Sequence, residues 1–496
     1  MPVGAPLPNP KRAANVAFVN RVRLAGPMRR RTLAALALGV AALVFRLWGL
    51  GRESLWVDEA ASWAVARQSV AAIFAQPEQT PPLYNLLLHF WMQVAGASEA
   101  ALRFPSALFG SAAVAMLYLV ARRFVTAPYA TLGAVLAILN FHFIRSSQNA
   151  RTYALFMLLA LLSIHALLRV LEGSRRARVG YAIATALLLY SHVYGLFLFA
   201  GQVTYAFALR NKHGAGARLL WLQGIALIPF LAWVPILISR ASAVTDGFWI
   251  RWDQVLAGAN LGGGSWPADL GLVAGVVVGL FVLPRVARHP KVVGAVPRPR
   301  LLIGTWVLLP FAIPVVLSVI LGPIVSPTYT IAAWPGILLL TMAGLQSYRR
   351  RTATILAILL LTAACFAATD ALTSRQNQDW RATFETLDRE ATPGDLVLFT
   401  PGYCGDSSER LQCPYDYYGT RKDLRFVPFL DGYRQVGTSD LDALNQTLAG
   451  ESSVWLVESD GGDPEGHIAS RLGTTFVLES RLEPHRLRLT HWVAAS

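Results

Sequence analysis

Long apolar runs recur along most of this chain, and they restrict the folds that it can adopt. Each run has roughly 15–22 residues, enough for a helix to cross the ~30 Å hydrocarbon layer of a bilayer. Charged residues make up only 15% of the sequence, whereas soluble domains contain about 25%. The pattern predicts a polytopic α-helical membrane protein with about eleven transmembrane helices. The predicted spans are 33–50, 104–121, 127–144, 152–170, 180–194, 195–209, 219–238, 269–284, 301–321, 329–346 and 352–370.

The distribution of basic residues predicts the orientation of these spans. The formal net charge is +15, and arginines cluster in alternate connections such as SRRAR (174–178) and YRRR (348–351). Connections rich in Lys and Arg stay in the cytoplasm. The N-terminus is therefore predicted inside, and the loops holding Asp58, Arg151, His192 and Tyr329 outside. The sequence contains no nucleic-acid-binding motif, so we expect no nucleic acid partner.

Three regions follow from this topology. Residues 1–32 are a basic cytoplasmic segment, residues 33–370 a transmembrane domain with a long exterior loop at 51–103, and residues 371–496 a more polar region. The polar region twice shows a helix–turn–strand pattern, which predicts a small α/β domain. An odd number of spans places this domain outside the cytoplasm. A Cys404–Cys413 disulfide is compatible with an oxidising exterior, but the spacing alone does not settle whether it forms.

The first exterior loop contains an unusual acidic pair in SLWVDEAASW (54–63). Neighbouring residues on a helix point about 100° apart, so Asp58 and Glu59 cannot act as a matched acid/base pair. One can face a cavity while the other makes a structural contact or holds an ion. Two interpretations are open: both acids are solvated and stabilise a helix N-terminus, or one is a general base. The surrounding stretch predicts an interfacial amphipathic helix anchored by Trp56 and Trp63.

Several sequence blocks together resemble one enzyme family. They are SLWVDEAASW (54–63), TPPLYNLLLHFW (80–91), SEAALRFPSALFGSAAVAMLYLVARR (98–123), NARTYALFMLLAL (149–161) and DWRATFETLDREATPGDLVLF (379–399). Their order and topology resemble a bacterial family 39-type glycosyltransferase of the GT-C superfamily, related to protein O-mannosyltransferases and lipid A aminoarabinose transferases. The resemblance covers most of the chain.

The resemblance implies an activity and a location. A hexosyl or pentosyl group would pass from a polyprenyl-phosphate donor to an envelope acceptor, which could be a glycolipid, a polysaccharide or a protein. Transfer would invert the anomeric centre, on the exterior face of a bacterial plasma (inner) membrane. Asp58 would be the general base, and Glu59 would complete the family's Asp-Glu pair. No cofactor is certain. A divalent metal is left open but has no support in the sequence, because no His/Cys/Asp cluster has the spacing of metal ligands.

A departing lipid phosphate needs a cation or hydrogen-bond donors beside it. The leading candidate is Arg151, whose guanidinium can bind phosphate with two hydrogen bonds. Its alternative role is an interfacial snorkelling arginine, and a lone His at an interface usually has a structural role. Tyr153 would lie about 200° from Arg151 on a continuous helix, so the two need not face one pocket. The candidate substrate-binding residues are Arg151, Tyr153, His192, Tyr329, Arg103 and Tyr84.

The chain departs from the family pattern at two positions. Asn149 stands where relatives often have Glu, and Thr328 stands where they often have an Arg before the tyrosine that corresponds to Tyr329. If that Arg holds phosphate in relatives, Arg103, Arg240 or Arg251 could replace it.

Two other classes of function compete with this interpretation. A transporter or flippase of lipid-linked sugars would carry polar and charged residues at mid-span, whereas here the charged residues concentrate in exterior loops. A non-catalytic envelope scaffold, with a tail that binds a partner, is the third interpretation.

Overall fold

The computed structural model describes residues 10–75, 81–210, 214–239, 296–321, 324, 328–374, 377–400, 414–429, 437–459, 463 and 466–495. The predicted span at 269–284, the candidate phosphate ligands Arg240 and Arg251, and Cys404 and Cys413 lie outside this part of the chain.

Helices make up most of the described residues before residue 374. They are α1 (Pro10–Leu47), α2 (Val57–Ala66), α3 (Val70–Ala75), α4 (Leu83–Ala95), α5 (Glu99–Ala121), α6 (Ala127–Leu139), α7 (Phe141–Ser147), α8 (Tyr153–Leu171), α9 (Arg175–Ser191), α10 (Gly195–Ala208), α11 (Ala215–Leu231), α12 (Val234–Ser239), α13 (Pro299–Leu321), α14 (Trp334–Ser347) and α15 (Arg350–Thr373). A short 3₁₀ turn, Ile331–Ala333, precedes α14.

The apolar helices confirm a polytopic membrane protein. Among the described residues, four helices (α5, α8, α13 and α15) are long and apolar enough to cross a membrane, and a fifth span results if α6 and α7 count as one bent span. Shorter apolar helices include α10, α11 and α14. The predicted break between the spans 180–194 and 195–209 is present, since α9 ends at Ser191 and α10 begins at Gly195. The total of about eleven spans stays a prediction.

The predicted span at 127–144 is not one straight helix, because the chain bends by 59° between α6 and α7; that the bent pair forms a single span stays a prediction. Asn140 causes the break: its backbone is extended, and its side chain accepts a hydrogen bond from the Phe143 N–H and so caps α7. Asn is among the favoured residues at this capping position. The buried Arg46 of α1 donates to the Ala137 carbonyl at 3.3 Å, which satisfies a carbonyl near the end of α6.

The predicted single amphipathic helix at 56–74 is wrong, whereas its position at the membrane interface stays a prediction. The stretch divides into α2 and α3, and every residue of α2 except Asp58 is buried. Small residues at Ala60, Ala61 and Ala64 let neighbouring elements approach closely. Trp63 is consequently a buried side chain that packs edge-on against Tyr417, with ring centroids 5.0 Å apart, rather than a headgroup anchor.

The polar C-terminal region contains a five-stranded sheet. Both predicted helix–turn–strand units are present, as α16 (Trp380–Glu390) with β1 (Leu396–Thr400) and α18 (Thr438–Leu448) with β3 (Ser453–Ser459). The other elements are α17 (Pro414–Tyr418), β2 (Arg425–Pro428), α19 (His467–Leu472), β4 (Phe476–Leu482) and β5 (Leu487–Ala494). The strand order is β2-β1-β3-β5-β4, with β1 parallel to β2 and β3 and with β5 antiparallel to β3 and β4.

Alternating side chains of β1 fill two cores, one on each face of the sheet. Val397 and Phe399 pack with α16 on one face, and Leu396 and Leu398 pack with α18 and α19 on the other. The core beside α16 also contains Val57, the first residue of α2. The sheet region is therefore packed against the segment that carries the acidic pair.

Candidate functional site

Asp58 and Arg151 face each other at the centre of the candidate site. The Asp58 Oδ2 and Arg151 Nη2 atoms lie 3.6 Å apart, and the two side chains are 39% and 15% exposed. Arg151 Nη1 also donates to the Asp58 carbonyl at 3.2 Å and to Ser62 Oγ at 3.1 Å. A carboxylate and a guanidinium, both within reach of a ligand, therefore lie side by side at one end of the bundle.

Arg151 lies in a non-helical segment between α7 and α8, residues 148–152, which we call the strap. Since α8 begins only at Tyr153, the 200° offset expected on a continuous helix does not apply. The Arg151 guanidinium and the Tyr153 hydroxyl are close enough to interact electrostatically. The structure thus brings together two residues that helical geometry had separated.

Glu59 does not share the environment of Asp58. Its side chain is fully buried and forms a two-point ion pair with the equally buried Arg103, at 2.7 Å from Arg103 Nε and 2.6 Å from Nη2. It also accepts the N–H of Trp56, the residue that precedes α2. Glu59 therefore makes a structural contact, and Asp58 is the member of the acidic pair that faces outward.

Arg103 is fully engaged in this buried arrangement. Besides the bonds to Glu59, its Nη1 donates to the Leu50 and Glu53 carbonyls and its Nη2 donates to the Ser54 carbonyl. A guanidinium has five N–H donors, and all of them are used here. The structure therefore leaves Arg103 no donor for a phosphate.

Successive residues of the strap are hydrogen-bonded to residues 46–59, from the end of α1 to the start of α2. Gln148 donates to the carbonyls of Arg46 and Trp48, Asn149 accepts from Trp56 Nε1 at 3.2 Å, and the Ala150 N–H donates to Glu59 Oε1 at 2.8 Å. Asn149, at the position where relatives often have an acid, therefore has a structural contact in this chain.

An aromatic cluster lies beside Arg151. His192 contacts Tyr153, Tyr194 and Tyr329, with ring centroids 5.1–5.9 Å apart. The His192 Nδ1 atom accepts the N–H of Tyr194 at 3.1 Å, so the neutral ring carries its proton on Nε2. Three of the predicted substrate-binding residues, Tyr153, His192 and Tyr329, thus form one group next to the fourth, Arg151.

Tyr84 lies beneath this group rather than in it. Its side chain is buried and its hydroxyl shares a hydrogen bond of 2.9 Å with Ser106 Oγ, which in turn donates to the Arg151 carbonyl at 3.3 Å. Tyr84 therefore supports the strap from below, and the structure shows no exposed surface through which it could contact a ligand directly.

The surroundings of Asp58 change its acidity. Partial removal from water raises the pKa of the Asp58 carboxyl above its ordinary value of ~3.9, the Arg151 cation opposes this shift, and the Glu59 carboxylate adds to it. A raised pKa makes the carboxylate a stronger base, provided that the pH stays above it.

Two site residues were missed although the sequence carries a signal for one of them. Ser62 lies four residues after Asp58 on α2, the spacing that places side chains on one helical face. Asn377 contacts the buried Glu59 from far along the chain, and no local pattern predicts that contact.

Among the described residues no group of three or more His, Cys, Asp or Glu is placed to hold a metal ion.

The fold and the site define a polytopic membrane protein with an acid–arginine pair over its helical bundle and an α/β region beside it. Residues 79–238 match the family model of dolichyl-phosphate-mannose-protein mannosyltransferases. No curated protein matches the sequence.

Solved structures with a similar fold cover nearly all of the chain. ArnT from Cupriavidus metallidurans bound to undecaprenyl phosphate has a TM-score of 0.57 and 15% identity, covering 92% of this chain and 97% of that one. The apo structure of the same protein has a TM-score of 0.56 and 14% identity, with the same coverage of both chains. The apo oligosaccharyltransferase of Archaeoglobus fulgidus gives 0.51 and 12%, covering 85% of this chain and 69% of that one. The chain therefore shares the fold of ArnT and of the archaeal oligosaccharyltransferase, in agreement with the resemblance drawn from the sequence.

Proposed function

We propose that this protein is a membrane glycosyltransferase that moves a sugar from a polyprenyl-phosphate donor to an acceptor hydroxyl. The observation that carries the proposal is the Asp58–Arg151 pair, a carboxylate and a guanidinium 3.6 Å apart. The GT-C fold supports it, as does the similarity to ArnT, whose solved complex contains undecaprenyl phosphate. The sugar and the acceptor class, whether glycolipid, polysaccharide or protein, are left to experiment.

The proposed reaction is a single inverting displacement. Asp58 removes the proton of the acceptor hydroxyl, the acceptor oxygen attacks the anomeric carbon, and the bond from that carbon to the donor phosphate oxygen breaks. The proton remains on Asp58 and the negative charge on the departing phosphate. A phosphate anion leaves without protonation, so the mechanism requires one base and no general acid.

Arg151 would stabilise the charge that develops on the departing phosphate. Its position next to Asp58 and the limited exposure of its side chain strengthen such a contact relative to bulk water. The aromatic cluster of Tyr153, His192 and Tyr329 would supply ring faces and hydroxyl or imidazole donors to the sugar or phosphate. Glu59 would have a structural role, since its carboxylate is occupied by Arg103.

The transporter interpretation has less support. A buried polar network does occupy the middle of the bundle, where Tyr181 and Ser163 both donate to Gln202 and Ser163 also contacts Thr185. These side chains are almost fully buried and bond to each other. Such a network holds helices together and does not line a passage for a sugar.

Two experiments test the proposal. Purified protein in nanodiscs is incubated with a panel of polyprenyl-phosphate sugars and with envelope extract of a gene-deletion strain as the source of acceptor, and release of the free polyprenyl phosphate is measured. In parallel, mass spectrometry compares envelope glycans of a gene deletion with those of the strain complemented by the wild type or by Asp58→Asn. We expect loss of one sugar in the deletion and restoration by wild type only. Unchanged glycans together with no turnover of any donor would refute the proposal.

A further inference from the structure

The residues on either side of Asp58 are anchored in different parts of the molecule. Val57 is buried in the core between the sheet and α16, together with Trp380 and Phe384. Glu59 is buried in the helical bundle, in its ion pair with Arg103. Asp58 therefore lies where the C-terminal sheet region meets the bundle, and its position depends on both.

The segment before Asp58 is bonded to the C-terminal region at successive positions. Ser54 Oγ donates to the Gln378 carbonyl at 2.5 Å and accepts the Trp380 N–H at 3.2 Å. The Leu55 N–H donates to the Tyr418 hydroxyl at 2.6 Å, and that hydroxyl donates to Glu99 at 2.6 Å. These contacts join residues more than three hundred positions apart in the chain.

Asn377 is the residue that connects most of these parts. Its N–H donates to Glu53 Oε2 at 3.0 Å, its Oδ1 accepts from Arg145 Nη2 at 3.0 Å, and its Nδ2 donates to the Ser54 carbonyl at 3.1 Å. The same Nδ2 lies 3.4 Å from Glu59 Oε2. A single amide thus accepts from a cation and donates to a buried carboxylate, which neither a carboxylate nor an apolar side chain can do.

We propose that Asn377 is a positioning residue for Asp58, through which the C-terminal region holds the base in register with Arg151. The inference rests on the proposed function for its catalytic consequence. Asn377 touches neither donor nor acceptor in this scheme. It acts through Ser54 and Glu59, which bound the short segment that carries Asp58.

The proposal distinguishes Asn377→Asp from other changes at this position. Asp keeps the acceptor for Arg145 but loses the donor to Glu59 and adds a negative charge beside it. The ionisable groups around Asp58 in the described part of the chain are Arg151, Glu59 and Tyr153, and the new carboxylate joins the acidic side of this set. Like charge disfavours ionisation of Asp58, so its protonation should occur at higher pH.

The experiment uses the full-length protein in nanodiscs with three variants at this position and one control. We expect Asn377→Ala to lower kcat about tenfold to a hundredfold, because small displacements of a catalytic group are costly, with the donor KM within about twofold. Asn377→Asp should lower kcat and move the acid limb of its pH profile up by about 0.5–1 unit. Asn377→Gln keeps the amide and should show no such movement. The control is Asn445→Asp, the same chemical change at a residue of α18 whose side chain accepts a hydrogen bond from Arg471.

A second readout needs no substrate. A hydrophobic carbodiimide adds to a protonated carboxyl to give a stable N-acylurea, so the pH midpoint of Asp58 labelling, mapped by mass spectrometry, reports its protonation. Asn377→Asp should raise this midpoint by the same amount as the acid limb, and Asn445→Asp should leave it unchanged. Asp58→Asn should remove the label.

The outcomes separate the two proposals. If the wild type turns over a donor while Asn377→Ala and Asn377→Asp match it in kcat and labelling midpoint, the positioning role is refuted and the proposed function stands. If no donor is turned over but the labelling midpoint of Asn377→Asp rises, the coupling to Asp58 stands and the proposed function fails. Equal midpoint shifts in Asn377→Asp and Asn445→Asp would reduce the effect to a general charge change and refute the proposal.

Discussion

The N–H of Ala150 donates a hydrogen bond to Glu59 Oε1 at 2.8 Å. Each of these residues is the chain neighbour of one member of the candidate reactive pair: Glu59 directly follows Asp58, and Ala150 directly precedes Arg151. The bond therefore sets the distance between the base and the cation through two adjacent peptide units. Glu59 is itself paired with Arg103. The buried Glu59–Arg103 ion pair therefore helps to fix the spacing of the more exposed Asp58–Arg151 pair.

Asp58→Asn should abolish sugar transfer while leaving the fold and donor binding close to wild type. The amide is nearly isosteric but cannot accept the acceptor proton, and loss of a general base typically lowers the rate 10²–10⁴-fold. Turnover of the polyprenyl-phosphate sugar by purified protein measures the effect. Asp442→Asn, an exposed acid on α18, is the matched control and should retain full activity. Activity of Asp58→Asn within tenfold of wild type would exclude Asp58 as the base.

Arg151 should act chiefly on the donor phosphate. Arg151→Lys keeps the charge without the planar fork, so it should retain partial activity, whereas Arg151→Ala should lose most activity and bind the donor weakly. Donor titration in nanodiscs measures this, with the exposed Arg389→Ala as control. If Arg151→Ala binds and turns over the donor like wild type, Arg151 is only an interfacial anchor.

The pH dependence should report the Asp58–Arg151 pair. Asp58 must be ionised to act as a base, so the rate falls as the pH drops through its pKa, which partial removal from water raises above the ordinary value of ~3.9. Arg151 lowers this pKa. Arg151→Lys retains the charge, so the acid limb of its pH profile should stay near that of wild type. In Arg151→Ala the cation is absent, so the acid limb of the residual activity should lie at higher pH. The measurement is kcat/KM against pH; an acid limb in Arg151→Ala at or below the wild-type position would contradict the pairing.

The buried Glu59–Arg103 pair should matter for stability. Removing one partner leaves a buried charge without compensation, which costs about 3–5 kcal/mol. Glu59→Gln and Arg103→Met should each lower the thermal unfolding midpoint, and the double variant should recover part of the loss because no lone charge remains. Tryptophan fluorescence during heating in detergent measures the midpoints, with the exposed Glu385→Gln as control. Equal midpoints for Glu59→Gln and Glu385→Gln would contradict this role.

The C-terminal region should lie outside the cytoplasm. The prediction rests on the alternation of arginine-rich connections and an odd number of spans. A phosphatase reporter fused after Ser496 should be active, and the same reporter placed after Gly214, in a connection predicted to be cytoplasmic, should be inactive. The opposite pattern would reverse the topology and remove Asp58 from the exterior face.

Much of the architecture could be predicted because it depends on local patterns. Apolar length predicted the long apolar helices α5, α8, α13 and α15, and the break at residues 192–194 and both C-terminal helix–turn–strand units were also predicted. The bend between α6 and α7 was not, because it depends on Asn140 capping one helix while the distant Arg46 satisfies a carbonyl of the other. The burial of α2 likewise depends on elements packed around it from elsewhere in the chain.

For the candidate site, the sequence by itself determined which residue types are present and, through the charge pattern, that Asp58, Arg151, His192 and Tyr329 are predicted on one side of the membrane. Only the tertiary structure decided their roles. It separated Asp58 from Glu59 by pairing Glu59 with Arg103, and it placed Arg151 and Tyr153 together because the strap interrupts the helix. It also brought Asn377 to the base over more than three hundred residues. Periodicity and charge are read from neighbouring residues, whereas hydrogen bonds and burial form between segments that meet only when the chain has folded.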